Sequence, residues 1–295
     1  MLKRLSADLL LAPMAAVILS CAPTSATDAA DPNLMRDSLT FYASFDETLD
    51  ADLANGSNRL RTRYGALDNP GGFRFEDGYP QNVFRVAPEQ GVHGGALEAL
   101  DVLPENGRIF FPAQNNLAYD ARGWSGTVSF WIKTNPDTML KTPFCDPVQI
   151  TEKGATNGGL WIDFPDSDPR DLRLGAFQSE GDGRERISES DPDAPLVVVS
   201  PVGFKETDWH HVLFTWSDFD SAAEDAQAVL YIDGNKQGEI GGRNITMDWD
   251  GSRTGIYVAV NYIGLLDELA VFNRRLSEEE ISRLATDPAA LAGAS

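Results

Sequence analysis

The chain has 295 residues, 42% of them hydrophobic and 9% aromatic, which supplies a large core and lies far from a disordered composition. Its formal net charge of -21, from 45 acidic against 24 basic residues, excludes a phosphate-gripping nucleic-acid surface and disfavours anionic lipid. It is compatible with Ca²⁺, which prefers carboxylate and carbonyl oxygens, and equally with acidity that serves solubility alone. In chain order, Lys3 and Arg4 precede an apolar run from Leu9 to Leu19. That run is shorter than the roughly 20 residues a bilayer-spanning helix needs, and it reads as an export signal.

The run closes on Ile18-Leu19-Ser20-Cys21, which resembles a bacterial lipobox, although Leu19 stands where a small residue is usual. Lipidation of Cys21 is therefore expected, with cleavage after Ala26 as the alternative. On this reading residues 1–21 are the signal peptide, and residues 22–37, rich in Ala, Asp, Thr and Pro, form a flexible tether. The expected location is the cell envelope, as an outer-membrane or surface lipoprotein held to the membrane through the lipid alone; secretion is the alternative. Only two cysteines, Cys21 and Cys145, are present, too few for a disulfide framework. Cys145 precedes Asp146-Pro147, with no His nearby to activate it as a nucleophile.

From Leu39 onward short β-like runs alternate with Gly, Pro, Asn and Asp. The predicted strands are 39–45, 95–100, 108–112, 126–133, 160–164, 172–178, 210–216, 227–232, 237–240, 256–263 and 266–272. In Val128-Ser129-Phe130-Trp131-Ile132-Lys133 one face carries Val, Phe and Ile, the pattern of a half-buried strand. Asp233-Gly234-Asn235 is a hairpin turn signal. One helix is predicted, from Ser277 to about Ala285. Ser277 and Glu280 fit a capping box, and Leu276 with Ile281 fits the hydrophobic staple. Strands in this number with one helix indicate an all-β fold: a two-sheet antiparallel β-sandwich with one short C-terminal helix. The domain is expected over 38–287, with an acidic exposed loop at 181–195 and a loose tail at 288–295.

The order of motifs resembles bacterial laminin-G-like jelly-roll domains of the concanavalin A-like lectin/glucanase group. It is carried by Leu39-Thr40-Phe41-Tyr42-Ala43-Ser44-Phe45-Asp46-Glu47, Gly91-Val92-His93-Gly94-Gly95, Gly126–Lys133, Trp209-His210-His211-Val212 with Leu230-Tyr231-Ile232-Asp233-Gly234, and Leu266-Asp267-Glu268 through Leu276-Ser277. The resemblance runs from about Leu39 to Ala285 and leaves the long segment 134–202 without a counterpart in shorter family members. It implies that the first and last strands pair, which brings Asp46 and Asp267 together. It also implies a structural Ca²⁺ at that seam. The alternative is that the two acids bond backbone amides or an Arg such as Arg274.

Retaining glycosidases of related folds need two carboxylates about 5 Å apart. On one strand these appear as Glu-x-Asp-x-x-Glu or one residue shorter. Glu189-Ser190-Asp191 is broken by Pro192, and Glu206-Thr207-Asp208 meets His210 or His211 where the second acid should stand. His210 and His211 are adjacent, so on a strand they point to opposite faces and cannot easily share one zinc ion. Among six tryptophans, Trp161 beside Asp163 is the candidate exposed ring for sugar contact. The resulting expectation is a non-catalytic envelope module that binds a glycan or an envelope or extracellular protein. The alternative is a polysaccharide-active hydrolase or lyase of the same fold.

Overall fold

The protein's computed structural model describes residues 32–66 and 72–294. The export segment, Cys21 and residues 22–31 of the expected tether lie outside the described residues. The chain opens with helix α1 (Pro32–Asp37), then β1 (Leu39–Ala43), β2 (Leu53–Ala54), β3 (Arg61–Tyr64), β4 (Arg74–Asp77), β5 (Phe84–Ala87), β6 (Ala96–Ala99) and β7 (Arg108–Pro112). Next come β8 (Trp124–Lys133), α2 (Pro136–Met139), β9 (Cys145–Thr151), β10 (Gly159–Phe164), β11 (Leu172–Phe177) and β12 (Leu196–Val199). The remainder is β13 (His210–Phe219), β14 (Ala226–Ile232), β15 (Asn235–Arg243), β16 (Gly255–Val260), β17 (Gly264–Phe272) and α3 (Glu278–Thr286).

The strands form two antiparallel sheets. The nine-stranded first sheet runs β15-β14-β13-β8-β17-β1-β2, with β6 beside β17 and β5 beside β6. The eight-stranded second sheet runs β12-β11-β10-β9-β16-β7-β3-β4. Alternate residues of each strand face the gap between the sheets. Val128, Phe130 and Ile132 of β8 meet the same core as Ile109 and Phe111 of β7, Ile162 of β10 and Ile256 of β16. First and last strands pair as the resemblance implies, with Tyr42 opposite Ala270.

The first sheet's outer face is covered. Ile281 and Leu284 of α3 pack with Met35 of α1 on Leu213, Val229, Ala270 and Phe272. The predicted capping box is present: Ser277 Oγ accepts from Glu280 N, and Glu280 returns a bond to the Ser277 backbone. Two expected boundaries are corrected. Residues 32–37 are helical rather than tether, and the 288–294 segment is no loose tail. Ala290 and Leu291 are buried in the same apolar cluster, because the sheet's outer face is apolar enough to reward their docking. Arg36 Nη2 fastens the segment by donating to the carbonyls of Ala290 and Ala292 at 3.2 and 3.1 Å.

Six strands were not legible as strands: β2, β3, β4, β5, β9 and β12. Four of them, β3, β4, β9 and β12, belong to the second sheet. The 134–202 segment supplies β9 to β12, half of that sheet. No helix covers this sheet's outer face among the described residues, and its side chains form the candidate site.

Candidate functional site

On β16, Ile256 and Val258 point into the core, so Tyr257 points out. It stands beside Phe110 of β7 and Gln149 of β9. Phe110 and Tyr257 have ring centroids 5.5 Å apart. Phe75 of the edge strand β4 lies 6.1 Å from Phe110 and 6.0 Å from Phe73. Phe75 remains 51% exposed. These rings, with Arg61, Arg63 and Arg253, line a cavity of about 700 Å³. Arg253 also lines a neighbouring polar cavity of about 510 Å³, with Arg108, Gln149, Glu152, Lys153 and Arg186 on its walls. The two cavities adjoin at Arg253, one aromatic and the other polar, and each is in the size range of small-molecule ligand sites.

Beyond the polar end a row of charged side chains continues across the strands. Arg108 Nη1 donates to Gln149 Oε1 at 3.1 Å, and Gln149 Nε2 donates to Asp146 Oδ2 at 2.7 Å. On the next strands Arg173 holds Asp163 with Nε–Oδ1 at 2.9 Å and Nη2–Oδ2 at 2.5 Å. Arg173 Nη2 also meets Glu189 of the 181–195 loop at 2.8 Å, so part of that loop is tied down on the sheet. Burial raises the Asp146 carboxyl well above the usual range, and the nearby Asp163 charge adds to it. Asp163 is raised to about 6 by burial, against the lowering effect of its bonds to Arg173. The acid search along single strands missed this pair because Asp146 and Asp163 sit on different strands. Pro147 lies beside a register shift between β9 and β10, where a central strand tolerates a proline.

Trp161 lies on this outer face but is 1% exposed, which corrects the expectation of an exposed ring. Its Nε1 donates to Ala155 O at 2.8 Å, Phe177 stacks on it at 5.7 Å, and the Arg173 guanidinium lies 5.3 Å from a ring centroid. Gly175 opposite leaves the room the indole fills; a Cβ there would stand 2.3 Å from Trp161 Cζ2. Of the other tryptophans, Trp124, Trp131, Trp216 and Trp249 are buried and Trp209 is half-buried. The well-exposed aromatics among the described residues are Phe144, at 47%, and Phe75, on a strand whose charged neighbours Arg74, Glu76 and Asp77 mask its pattern in the sequence. His211 is buried against Ser129 Oγ at 2.8 Å, while His210 pairs with Asp233 at 2.9 Å and stacks on Phe204. The two histidines thus divide as adjacent strand residues must.

The seam between the chain ends is built by the 91–95 loop. Val92 N and His93 N donate to Asp267 Oδ2 at 2.8 and 3.3 Å, and Gly95 N donates to Asp46 Oδ1 at 2.8 Å. Gly94 has φ 66°, and a Cβ there would stand 1.9 Å from Asp46 Oδ1, so glycine is required. A bulge in β17 puts both Leu266 and Leu269 in the core, leaving Asp267 and Glu268 to face the loop. Burial raises Asp267 to about 7 and Glu268 to about 8, and the Asp46 charge contributes to both. Tyr42 donates to Glu268 Oε2 at 2.7 Å. Glu268 Oε1 is buried with no hydrogen-bond partner among the described residues and lies 3.7 Å from His93 Nδ1, which would have to share it with any bound cation. Asp267, by contrast, already accepts from amides on both oxygens. Arg274 pairs with Glu280 and takes no part. Among the described residues no three His, Cys, Asp or Glu side chains converge as a ready metal cluster, so backbone carbonyls would have to complete any shell.

The fold is thus a two-sheet antiparallel sandwich with one outer face covered by a helix and the other open. The family profile Laminin_G_3, described as the concanavalin A-like lectin/glucanases superfamily, matches residues 105–282, and the chain belongs to that family. Among solved structures it is similar to domain 4 of AbnA, a GH43 extracellular arabinanase from Geobacillus stearothermophilus, in complex with arabinotriose. The identity is 20% over 84% of this chain and 98% of that one, with TM-score 0.49. It is also similar to the binding domain of Paraclostridial Mosquitocidal Protein 1, at 14% identity over 85% of this chain and 52% of that one, with TM-score 0.53. The binding domain of botulinum neurotoxin DC in complex with rat synaptotagmin II gives the same four values. The chain spans about half the length of these toxin domains, and at such identities the likeness concerns the fold. No curated protein matches the sequence significantly.

Proposed function

We propose that the protein is a non-catalytic binding module that takes a glycan in the groove on the outer face of the second sheet. The carrying observation is the half-exposed Phe75 ring at the head of an aromatic cavity that runs into polar side chains. Sugar rings present an apolar face and a polar rim, and such a groove answers both. Similarity of fold to toxin binding domains supports a binding role. Titration of the full-length protein against a glycan panel tests it. Phe75→Ala should weaken binding by about tenfold through lost ring contact. Capture of a protein ligand with no glycan binding would overturn it. The rival reading, a polysaccharide-active enzyme, draws on Asp146 and Asp163, two acids with raised pKa on the same face. Both are nearly sealed, at 6% and 3% exposure, with Glu189 and Arg173 beside them. Release of reducing ends in the same titration would establish that rival.

The proposal includes display from the cell envelope through lipid on Cys21. Cys21→Ala should shift the protein from the membrane to the soluble fraction on cell fractionation; unchanged membrane association would refute the anchor. Among the described residues no helix is long and apolar enough to cross a membrane.

A structural Ca²⁺ at the seam belongs to the same proposal, held by Asp46, Glu268 Oε1 and loop carbonyls, with the Asp267 charge alongside. A ligand specific to the folded state stabilises it by about 2.7 kcal/mol at a hundredfold excess over Kd. Chelation should therefore lower the melting temperature of the wild type, and Glu268→Gln, which removes the charge of the proposed ligand, should be insensitive to it. Equal melting of the wild type with and without Ca²⁺ would remove the ion from the account.

A further inference from the structure

Arg63 is 1% exposed, and its Nε, Nη1 and Nη2 have no hydrogen-bond partner among the described residues. It lines the aromatic cavity. Its Cζ lies 4.1 Å from the Phe73 ring centroid and 5.0 Å from that of Tyr257. Directly across the β3–β7 ladder stands Arg108, whose guanidinium bonds the neutral Gln149 amide. The flanking arginines are answered: Arg61 by Asp77 at 3.1 Å and Arg253 by Glu152 at 3.3 Å. Like charges opposed on a sheet repel, and a buried charge without a partner is unfavourable. Stacked rings offset only part of that cost. Burial lowers the Arg63 pKa to about 10, so it stays a cation at neutral pH. Among the described residues neither of these adjacent arginines forms an ion pair, and Arg108 reaches the Asp146 carboxylate only through Gln149.

We infer that the groove is built for an acidic saccharide, in which the carboxylate of a uronic acid residue docks between Arg63 and Arg108 while neighbouring sugar rings lie against Phe75. This rests on the glycan-binding reading. A guanidinium matches a planar carboxylate with two parallel, charge-assisted hydrogen bonds, whereas the hydroxyls of a neutral sugar accept from it without compensating its charge. Phe73, whose ring covers the Arg63 guanidinium, immediately precedes the exposed edge strand β4, and a shift of this ring admits the carboxylate. The acidic remainder of the surface repels polyanions elsewhere, so recognition is confined to this patch.

The test titrates the full-length protein with oligogalacturonate, oligomannuronate and oligoguluronate, each against its carboxyl-reduced neutral counterpart. At least one acidic series should bind about tenfold or more tighter than its neutral form, and less so at high salt. Arg63→Met removes an unpaired buried charge at similar volume, so its melting temperature should hold or rise while the preference for the acid disappears. A merely structural Arg63 would show the reverse, lost stability with the preference intact. Acidic and neutral oligomers that bind equally, both weakened by Phe75→Ala, would overturn this inference and leave the glycan-binding reading standing. Binding of neither kind would overturn both.

Discussion

Arg173→Met is expected to destabilise the protein by about 3–5 kcal/mol at pH 8, the usual consequence of removing one partner from a buried ion pair. Arg173 is the cation that Asp163 and Glu189 share, and Asp163 is 3% exposed. Without it, Asp163, Asp146 and Glu189 face one another with no compensating charge on that side. The loss should be smaller at pH 5. Asp163 already has a raised folded pKa of about 6, so between its unfolded value and 6 the folded state binds more protons than the unfolded state. Its favourable contribution is therefore present in acid and declines as pH rises through 6. Removing Arg173 raises the folded pKa further and extends the decline to higher pH. Urea unfolding of the wild type and variant at both pH values measures the difference. A penalty that is equal at pH 5 and pH 8 would show that the lost packing of Arg173 on Trp161, and not its charge, is what matters.

Acid should cost the protein stability through His211, on the order of 3 kcal/mol between pH 7 and pH 4. The ring is fully buried, bonded through Nε2 to Ser129 Oγ, with no partner for Nδ1 among the described residues. Burial lowers its pKa to about 4, although the Asp233 charge pulls the other way. Between pH 4 and 6.5 the unfolded chain protonates this histidine and the folded chain does not. The contribution is complete above pH 6.5 and disappears as pH falls through 4. His211→Gln should flatten this part of the profile in urea unfolding at pH 7.5 and 4.5. The raised acids Asp163, Asp267 and Glu268 act with the opposite sign, so the comparison of variant with wild type isolates the histidine. An unchanged acid slope in the variant would assign the loss elsewhere.

The first sheet was largely legible in the sequence because its central strands alternate strictly. Val128, Phe130 and Ile132 read as an inward face, and the fold places them there. The C-terminal helix was legible because capping is local chemistry: Ser277 and Glu280 satisfy each other's backbone donors three residues apart. The pairing of first and last strands came from the resemblance, and the β1–β17 ladder bears it out.

The groove was not legible. Arg61-Thr62-Arg63-Tyr64 and Arg74-Phe75-Glu76-Asp77 are not among the predicted strands, since residues that face a cavity lack the apolar alternation that marks a strand. Cys145–Thr151 is not among the predicted strands; its Pro147 disfavours a central strand except where a register shift accommodates it. Trp161 was expected to be exposed; its burial depends on Gly175, Phe177 and Arg173, which reach it from a neighbouring strand. Composition, alternation and capping thus determined the class of fold, its core residues and its terminal helix, because each is a short-range or additive property of the chain. The facing of Arg63 with Arg108, of Asp146 with Asp163, and of Phe75 with Phe110 was decided by tertiary structure alone. Each pairs residues far apart in sequence or on different strands, and only the register of the second sheet fixes which side chains share its open face.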